Sequence, residues 1–436
     1  MYQQAELGEG EWLVGFGYDH NRFCEKRHPD ASVLDKLNIP NPVIIAHASG
    51  HMGVVNSRAL EAAGICADTP DPSGGRFGRI PGTQEPNGYA EEAAFLSLSA
   101  YTGRQDTQKS IQAMTKAQQL YASYGITTIQ DGLVNKPEWE LLKHSELFLD
   151  VVGYVDIHKS HELLLQNPEF REYRSHLKLA GYKLILDGSP QGRTAWLTEP
   201  YENAADGYKG YPVYQDEEVT KYLEQALQEG VQILVHCNGD AAAEQMIRCY
   251  RQARERTACY TDIRPVMIHA QMLRKDLLGQ VKELGIIPSF FVAHTYYWGD
   301  VHLQNLGNRA HSISPAHSAE EHGIPYTFHQ DSPVLKPDML KTIWCAVNRR
   351  TQNGVLLGGE ERITPLEALK AVTIHAAAQY GEETYKGSIA TGKQANFVVL
   401  DQNPLRVLPE EIDRIQVLQT IVRDQVVYER EEETCG

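Results

Sequence analysis

The chain has 436 residues, 42% hydrophobic and 22% charged, with a net charge of −16 at neutral pH. One large barrel or two ordinary domains fit this length, and either buries a substantial core. The acidic balance argues against nucleic acid and anionic membranes as partners; a small-molecule substrate is expected, and a homo-oligomer is compatible with it.

The seven cysteines (Cys24, Cys66, Cys237, Cys249, Cys259, Cys345 and Cys435) are scattered and form no CxxC pair. Neither a disulfide framework nor a thiolate zinc site is expected, and a reducing cytoplasm is the simplest setting. No apolar run reaches the ~18 residues of a membrane span. The opening MYQQAELGEGEW lacks the basic and apolar regions of a signal peptide.

In chain order, PVIIAHASGHMGVVNSRALEAAG suggests a strand, a glycine-containing turn and a helix, followed by a Pro/Gly-rich stretch from Asp68 to Gly88. From Gly125 onward, short apolar runs rich in β-formers alternate with amphipathic helical stretches. The strand candidates are Gly125 to Asp131, Leu147 to Ile157, Gly181 to Gly188, Val231 to Cys237, Arg264 to Ala270, Ile286 to His294 and Ile324 to Asp331. Between two of them, DEEVTKYLEQALQEG reads as a helix that Gly230 ends. Near-continuous apolar strands joined by helices predict a parallel sheet buried on both faces. The count falls one strand short of a closed (β/α)₈ barrel. Further on, ITPLEALKAVTIHAAAQY opens with Thr364 as N-cap, Pro365 in the first turn and Glu367 completing a capping box. The tail then reads as turns and strands, a small sheet appended to the barrel.

The residues that end the strands carry the chemistry. In such barrels the active site lies at the C-terminal mouth. Those positions hold Asp131, Lys183 with Asp187, His236, His269, His294 and Asp331. Imidazole and carboxylate ligands suit zinc, and also manganese, iron or nickel. A bound dication lowers the pKa of water, and a carboxylate such as Asp331 relays its proton to a leaving group. Plainer roles exist for each. A buried histidine is commonly a hydrogen-bonded core residue, strand-end aspartates cap helices, and Lys183 could pair with Asp187 or Asp131 inside the barrel. His294 fits substrate contact as well as ligation.

At these residues the sequence resembles the amidohydrolase superfamily, specifically amidohydrolase family 3, the group that contains N-substituted formamide deformylases. HASGHMGVVNSRALEAAGI, KLILDGSPQGRTAWLTEPY, VHCNGDAA, IHAQ, HQDSPV and GSIATGKQANFVVLDQNPL follow in that family's order. The resemblance implies a (β/α)₈ metal-dependent hydrolase barrel over residues 125–385. Residues 1–124 become an insertion that lines the substrate site, and 386–436 the C-terminal part of a small β-sandwich. It implies hydrolysis of a C–N bond in an amide, N-formyl group or cyclic amide, with one or two divalent metal ions, zinc foremost. Lys183, carboxylated on its amine, becomes the fourth-strand ligand, His236 and His269 the next two, and Asp331 both ligand and proton shuttle. His51, Asn56, Arg193 and His294 fall where such enzymes line the substrate pocket. Arg193 suits a substrate carboxylate or carbonyl, or a structural salt bridge.

The family's first strand, with its His-x-His ligand pair, is not in this sequence. The expectation is therefore a barrel without its first strand, in a fragment or a naturally shortened protein, with WLVGFGY (Trp12 to Tyr18) or another chain filling the gap. A second reading is a metal-poor relative with a binding or regulatory role. A barrel for phosphorylated substrates finds no glycine-rich loop to support it.

Overall fold

Alternating strand and helix signals through the middle of the chain become a seven-stranded parallel sheet, preceded and followed by smaller sheets. The structure is a computed structural model that describes residues 7–8, 10–102, 107–202, 204–258 and 261–431. Most of the opening MYQQAELGEGEW, Cys259 and Cys435 lie outside the described residues; the other five cysteines are free thiols.

The first sheet contains β1 (Leu13–Tyr18), β2 (Val43–His47), β3 (Met52–Val55), β4 (Gly75–Arg79) and β5 (Pro86–Glu92), in the order β1-β2-β3-β5-β4. The expected strand–turn–helix gains a strand. After the turn at Gly50 (φ 75°), β3 folds back antiparallel on β2 before the helix Ser57–Ala63 begins. WLVGFGY does not close the barrel. Its residues from Leu13 pair in parallel with β2, in register with Val43 onward, so their backbone groups are committed to this sheet.

The second sheet contains β6 (Thr128–Val134), β7 (Asp150–Asp156), β8 (Leu177–Ile185), β9 (Gln232–Cys237), β10 (Val266–His269), β11 (Ile287–Phe290) and β12 (Thr327–Phe328). All seven expected strands are present, in sequence order and parallel. Among the described residues no strand joins β12 to β6, so the sheet curls without closing. β12 keeps only two residues of its expected run, because it pairs with β11 alone. β8 and β9 approach so closely that a Cβ on Gly181 would sit 1.8 Å from the Gln232 carbonyl oxygen.

Helices cover the outer face. Asp216–Glu229 ends as expected at Gly230, in the left-handed conformation at φ 61°. Thr364 caps Pro365–Ala371 by accepting the Glu367 N–H, but the capping box does not form, because the Glu367 carboxylate pairs with Lys370 instead. The helices and the outer sheet face enclose the main core, including Trp139, Tyr182, Leu223, Met246 and Phe290. Val152, Tyr154, Leu234, Val266, Ile268 and Ile287 pack into a separate cluster. His236 follows Leu234 by two residues on one strand, so both point to the same face. The third sheet is antiparallel β13 (Phe397–Leu400), β14 (Val417–Val422) and β15 (Gln425–Glu429). It docks on the helix Thr107–Ser123, where the Thr420 hydroxyl donates to the Ala122 carbonyl at 2.7 Å.

No helix among the described residues is long and apolar enough to cross a membrane.

Candidate active site

β9 and β10 are neighbours in register, with Ile268 opposite His236. One residue beyond, His269 takes a left-handed backbone (φ 70°), and His269 Nε2 comes to 3.1 Å from His236 Nδ1. A non-glycine residue in that region costs roughly 1–3 kcal/mol, so surrounding packing must hold the turn. Both imidazoles are 4% exposed. Burial first, then neighbouring charges, pushes each well below the usual histidine range, so both are neutral.

The outer nitrogens have partners of both kinds. His236 Nε2 lies 3.2 Å from the Gly188 carbonyl oxygen, which can only accept, and 3.1 Å from the Asn238 amide nitrogen, which can only donate, so either tautomer finds a partner there. On the other side, His269 Nδ1 is 3.0 Å from His329 Nε2, and His329 Nδ1 is 3.0 Å from the Ser289 hydroxyl. With His236 protonated on Nε2 and His269 and His329 on Nδ1, two lone pairs face each other across 3.1 Å; with the chain of protons reversed from the Ser289 hydroxyl, His269 Nε2–H donates to His236 Nδ1 instead. Facing lone pairs repel unless a proton or cation lies between them. Two ligands at ~2.1 Å from a tetrahedral zinc are about 3.4 Å apart, so this donor pair fits a metal ion.

Lys183 acts by its charge on both imidazoles, and Asp331 acts on Lys183. Burial draws the Lys183 amine down to about 8, partly offset by the Asp331 carboxylate. Asp331, rather than Asp131 or Asp187, is thus the carboxylate whose charge acts on Lys183. Asp331 follows β12 with φ 55° and lines the cavity at the mouth. Its residue surface is exposed, yet protein atoms crowd round the carboxyl; that crowding raises its pKa against the pull of Lys183 and His51. The concave mouth reconciles the two, since solvent reaches the group through an opening only.

The cavity is also lined by His51, Ser189, Gln191, Asn238 and His294. Ser189 Oγ, Gln191 Oε1 and Asn238 Oδ1 are buried without a protein partner, and such orphaned groups suit a ligand. His51 Nδ1 is 2.8 Å from Glu92 Oε2. Burial alone would lower the His51 pKa, but the Glu92 charge and hydrogen bond raise it overall. His294 lines the cavity between Phe291 and Trp298, its Nδ1 3.0 Å from His302 Nε2.

Two expected pocket residues lie elsewhere. Asn56 caps its helix: Oδ1 accepts from Val43 and Ala59, and Nδ2 donates to the Asn41 carbonyl, which leaves no polar atom for substrate. Arg193, at φ 60°, lies over the Tyr201 ring and donates to the Glu202 carbonyl, away from the cavity lining. Asp187 accepts the N–H groups of Trp196, Asn238 and Gly239 and ties together the loops after β8 and β9. Asp131 accepts the Leu133 N–H two residues along its own strand, β6. Sequence reasoning missed His329 and Glu92. The His-x-Asp spacing of His329 and Asp331 is a signal that could have found the first, whereas Glu92 has no local signature.

The family model described as the amidohydrolase family matches residues 2–428. N-substituted formamide deformylase from Arthrobacter pascens is 28% identical over 444 residues, covering 97% of this chain and 80% of its own. The crystal structure of an uncharacterized metal-dependent hydrolase from Pyrococcus furiosus superposes with a TM-score of 0.68 at 24% identity, over 92% of this chain and 80% of that one. A second such hydrolase, from Pyrococcus horikoshii OT3, gives 0.71 at 22% identity, over 92% and 79%. At these identities the two structures establish the fold.

Proposed function

This chain belongs to the amidohydrolase family, and on that premise we propose that it hydrolyses the C–N bond of a small amide, N-formyl or cyclic amide substrate, using one or two divalent metal ions, zinc foremost. The observation that carries this reading is the pair of facing imidazole nitrogens, His236 Nδ1 and His269 Nε2, 3.1 Å apart at adjacent strand ends. The similarity to a formamide deformylase supports the bond type.

His236, His269, Lys183 and Asp331 would hold the metal, with the Lys183 amine carboxylated. An amine drawn down to about 8 is partly neutral near physiological pH, and only the neutral form adds to carbon dioxide. The ion, when bound, polarises the scissile carbonyl and lowers the pKa of water. Asp331 takes the proton from the attacking water and passes it to the leaving nitrogen. His51, charged and held by Glu92, donates a hydrogen bond to the oxygen on which negative charge develops. His294 and Phe291 form an apolar and aromatic wall that positions the substrate.

Turnover of N-formyl amines and simple amides should be abolished by a chelator and restored by zinc or manganese. Turnover that persists in protein shown by elemental analysis to be metal-free would overturn the reading. A metal-poor binding role has one observation in its favour. Among the described residues, no three His, Cys, Asp or Glu ligand atoms at the barrel mouth lie within 4.8 Å of one another. Elemental analysis of protein purified without added metal decides between the two.

His329 provides a sharper check, because it acts through His269. His329→Ala removes the acceptor that keeps the proton on His269 Nδ1, and should weaken metal binding by about 10- to 100-fold, as loss of such outer partners does. Competition against a chromophoric chelator measures this directly. Unchanged affinity would show that the tautomer is set by something else.

A further inference from the structure

We propose that Asp19, His20 and His47 form a second divalent-metal site, of zinc type, on the N-terminal sheet and outside the barrel mouth. Among the described residues, these three are the group whose ligand atoms all lie within 4.8 Å of one another. None belongs to the strand-end set of the barrel.

The fold builds this cluster from two strands. Tyr18, the last residue of β1, lies beside His47, the last residue of β2, because the two strands run in parallel and end together. Asp19 and His20 follow β1 directly, and the Asp19 carboxylate caps the short turn His20–Arg22 by accepting the Asn21 N–H at 2.9 Å. Its other oxygen accepts the indole N–H of Trp298 at 3.2 Å. The carboxylate is thereby aimed rather than free to rotate. His20 Nδ1 lies 3.2 Å from His47 Nε2, which in turn lies 3.5 Å from Asp19 Oδ1.

Two imidazoles and a carboxylate are a donor set for zinc and its neighbours in the first transition row. The outer nitrogen of His47 has the oxygen partner a ligating histidine needs. The Ser49 N–H donates to His47 Nδ1 at 3.1 Å, so Nε2 carries the proton in the metal-free protein; ligation at Nε2 shifts that proton to Nδ1, where the Ser49 hydroxyl at 2.9 Å can accept it. His47 is fully buried, which limits competition from water at its nitrogen. His28 stacks on His20 with ring centroids 3.9 Å apart and is the nearest source of a further ligand, with water as the alternative.

The position gives the ion a structural task. Ser49 lines the barrel cavity, and Trp298 packs against His294, another cavity residue. A metal held by Asp19, His20 and His47 would fix the end of β2 and the end of β1 against the barrel mouth.

The test uses zinc itself as the probe. In the full chain carrying His236→Ala and His269→Ala, one zinc per chain should remain after dialysis, and the melting temperature should rise with added zinc. Adding His20→Ala and His47→Ala should remove both the bound zinc and the rise. A folded His236→Ala, His269→Ala protein that binds no zinc would overturn the proposal. So would a zinc count unchanged by His20→Ala and His47→Ala. Should either variant fail to fold, zinc-soaked crystals of the wild-type chain read the answer by anomalous scattering. A peak among Asp19, His20 and His47 supports the site, and a blank map there overturns it.

Discussion

Asp331→Asn is expected to lose roughly 10²- to 10⁴-fold in turnover, the usual contribution of a general base, with its melting temperature unchanged. An amide has nearly the same shape as a carboxyl but cannot take a proton from water and return it. Asp331 faces the cavity and has Lys183 and His51 as its charged neighbours. It caps no helix and holds no strand through its side chain, so the fold does not depend on it. Loss of a ligand oxygen would add to the kinetic effect, and metal content must therefore be measured beside kcat. Undiminished turnover by the variant at full metal load would sink the proposed mechanism, whichever amide proves to be the substrate.

Asp150→Ala is expected to cost about 3–5 kcal/mol of stability, the cost of leaving buried charges without their partner. Asp150 opens β7 at the end of the barrel remote from the mouth, where barrel residues serve stability rather than catalysis. It is fully buried, with His176 Nδ1 at 2.7 Å, Lys386 Nζ at 2.7 Å and Arg423 Nη2 at 2.6 Å. Lys386 is shared with Glu382, which also pairs with Lys178. One carboxylate thus joins the barrel floor to the segment that follows the helix Ile374–Gln379 and to the β14–β15 turn. Burial raises the Asp150 pKa, but the bonds from His176, Lys386 and Arg423 outweigh it and hold the group below the usual carboxylate range. A depressed folded pKa means that the stabilisation is complete above the unfolded value, near 4, and is lost as pH falls through the folded value. The difference between wild type and variant, read as the urea midpoint multiplied by its slope, should stay constant from neutrality to about pH 5 and shrink in stronger acid. A difference under about 1 kcal/mol at neutral pH would assign the network to surface-like behaviour.

The seven barrel strands were legible because each is an apolar run whose period and flanking glycines are local properties. Gly230, for example, ends its helix at φ 61° where the sequence places it. The strand that folds back after His51 was not legible. MGVV reads equally well as the end of a turn, and only its pairing with β2 and β5 makes it β3. Glu367 shows the same limit at smaller scale. Its spacing from Thr364 suits a capping box, but Lys370 one turn on competes for the carboxylate and wins.

At the candidate site, residue types at strand ends nominated Asp131, Lys183, Asp187, His236, His269, His294 and Asp331, because parallel strands bring all their C-terminal ends to one face; the family resemblance singled out Lys183, His236, His269 and Asp331 as ligands. Asn56 misled for a local reason: an asparagine before a helix is also an N-cap, and its amide is bonded to Ala59, Val43 and Asn41. His329 touches His269 from 60 residues away, Glu92 reaches His51 across 41, and His20 meets His47 across 27. By itself the sequence determined which barrel strands form, their order and the chemical types at their ends, since these follow from short-range periodicity and turn chemistry. Only the tertiary structure decided which imidazole nitrogens face each other and which carboxylate orients which histidine, because those depend on strand register and on contacts between segments far apart in the chain.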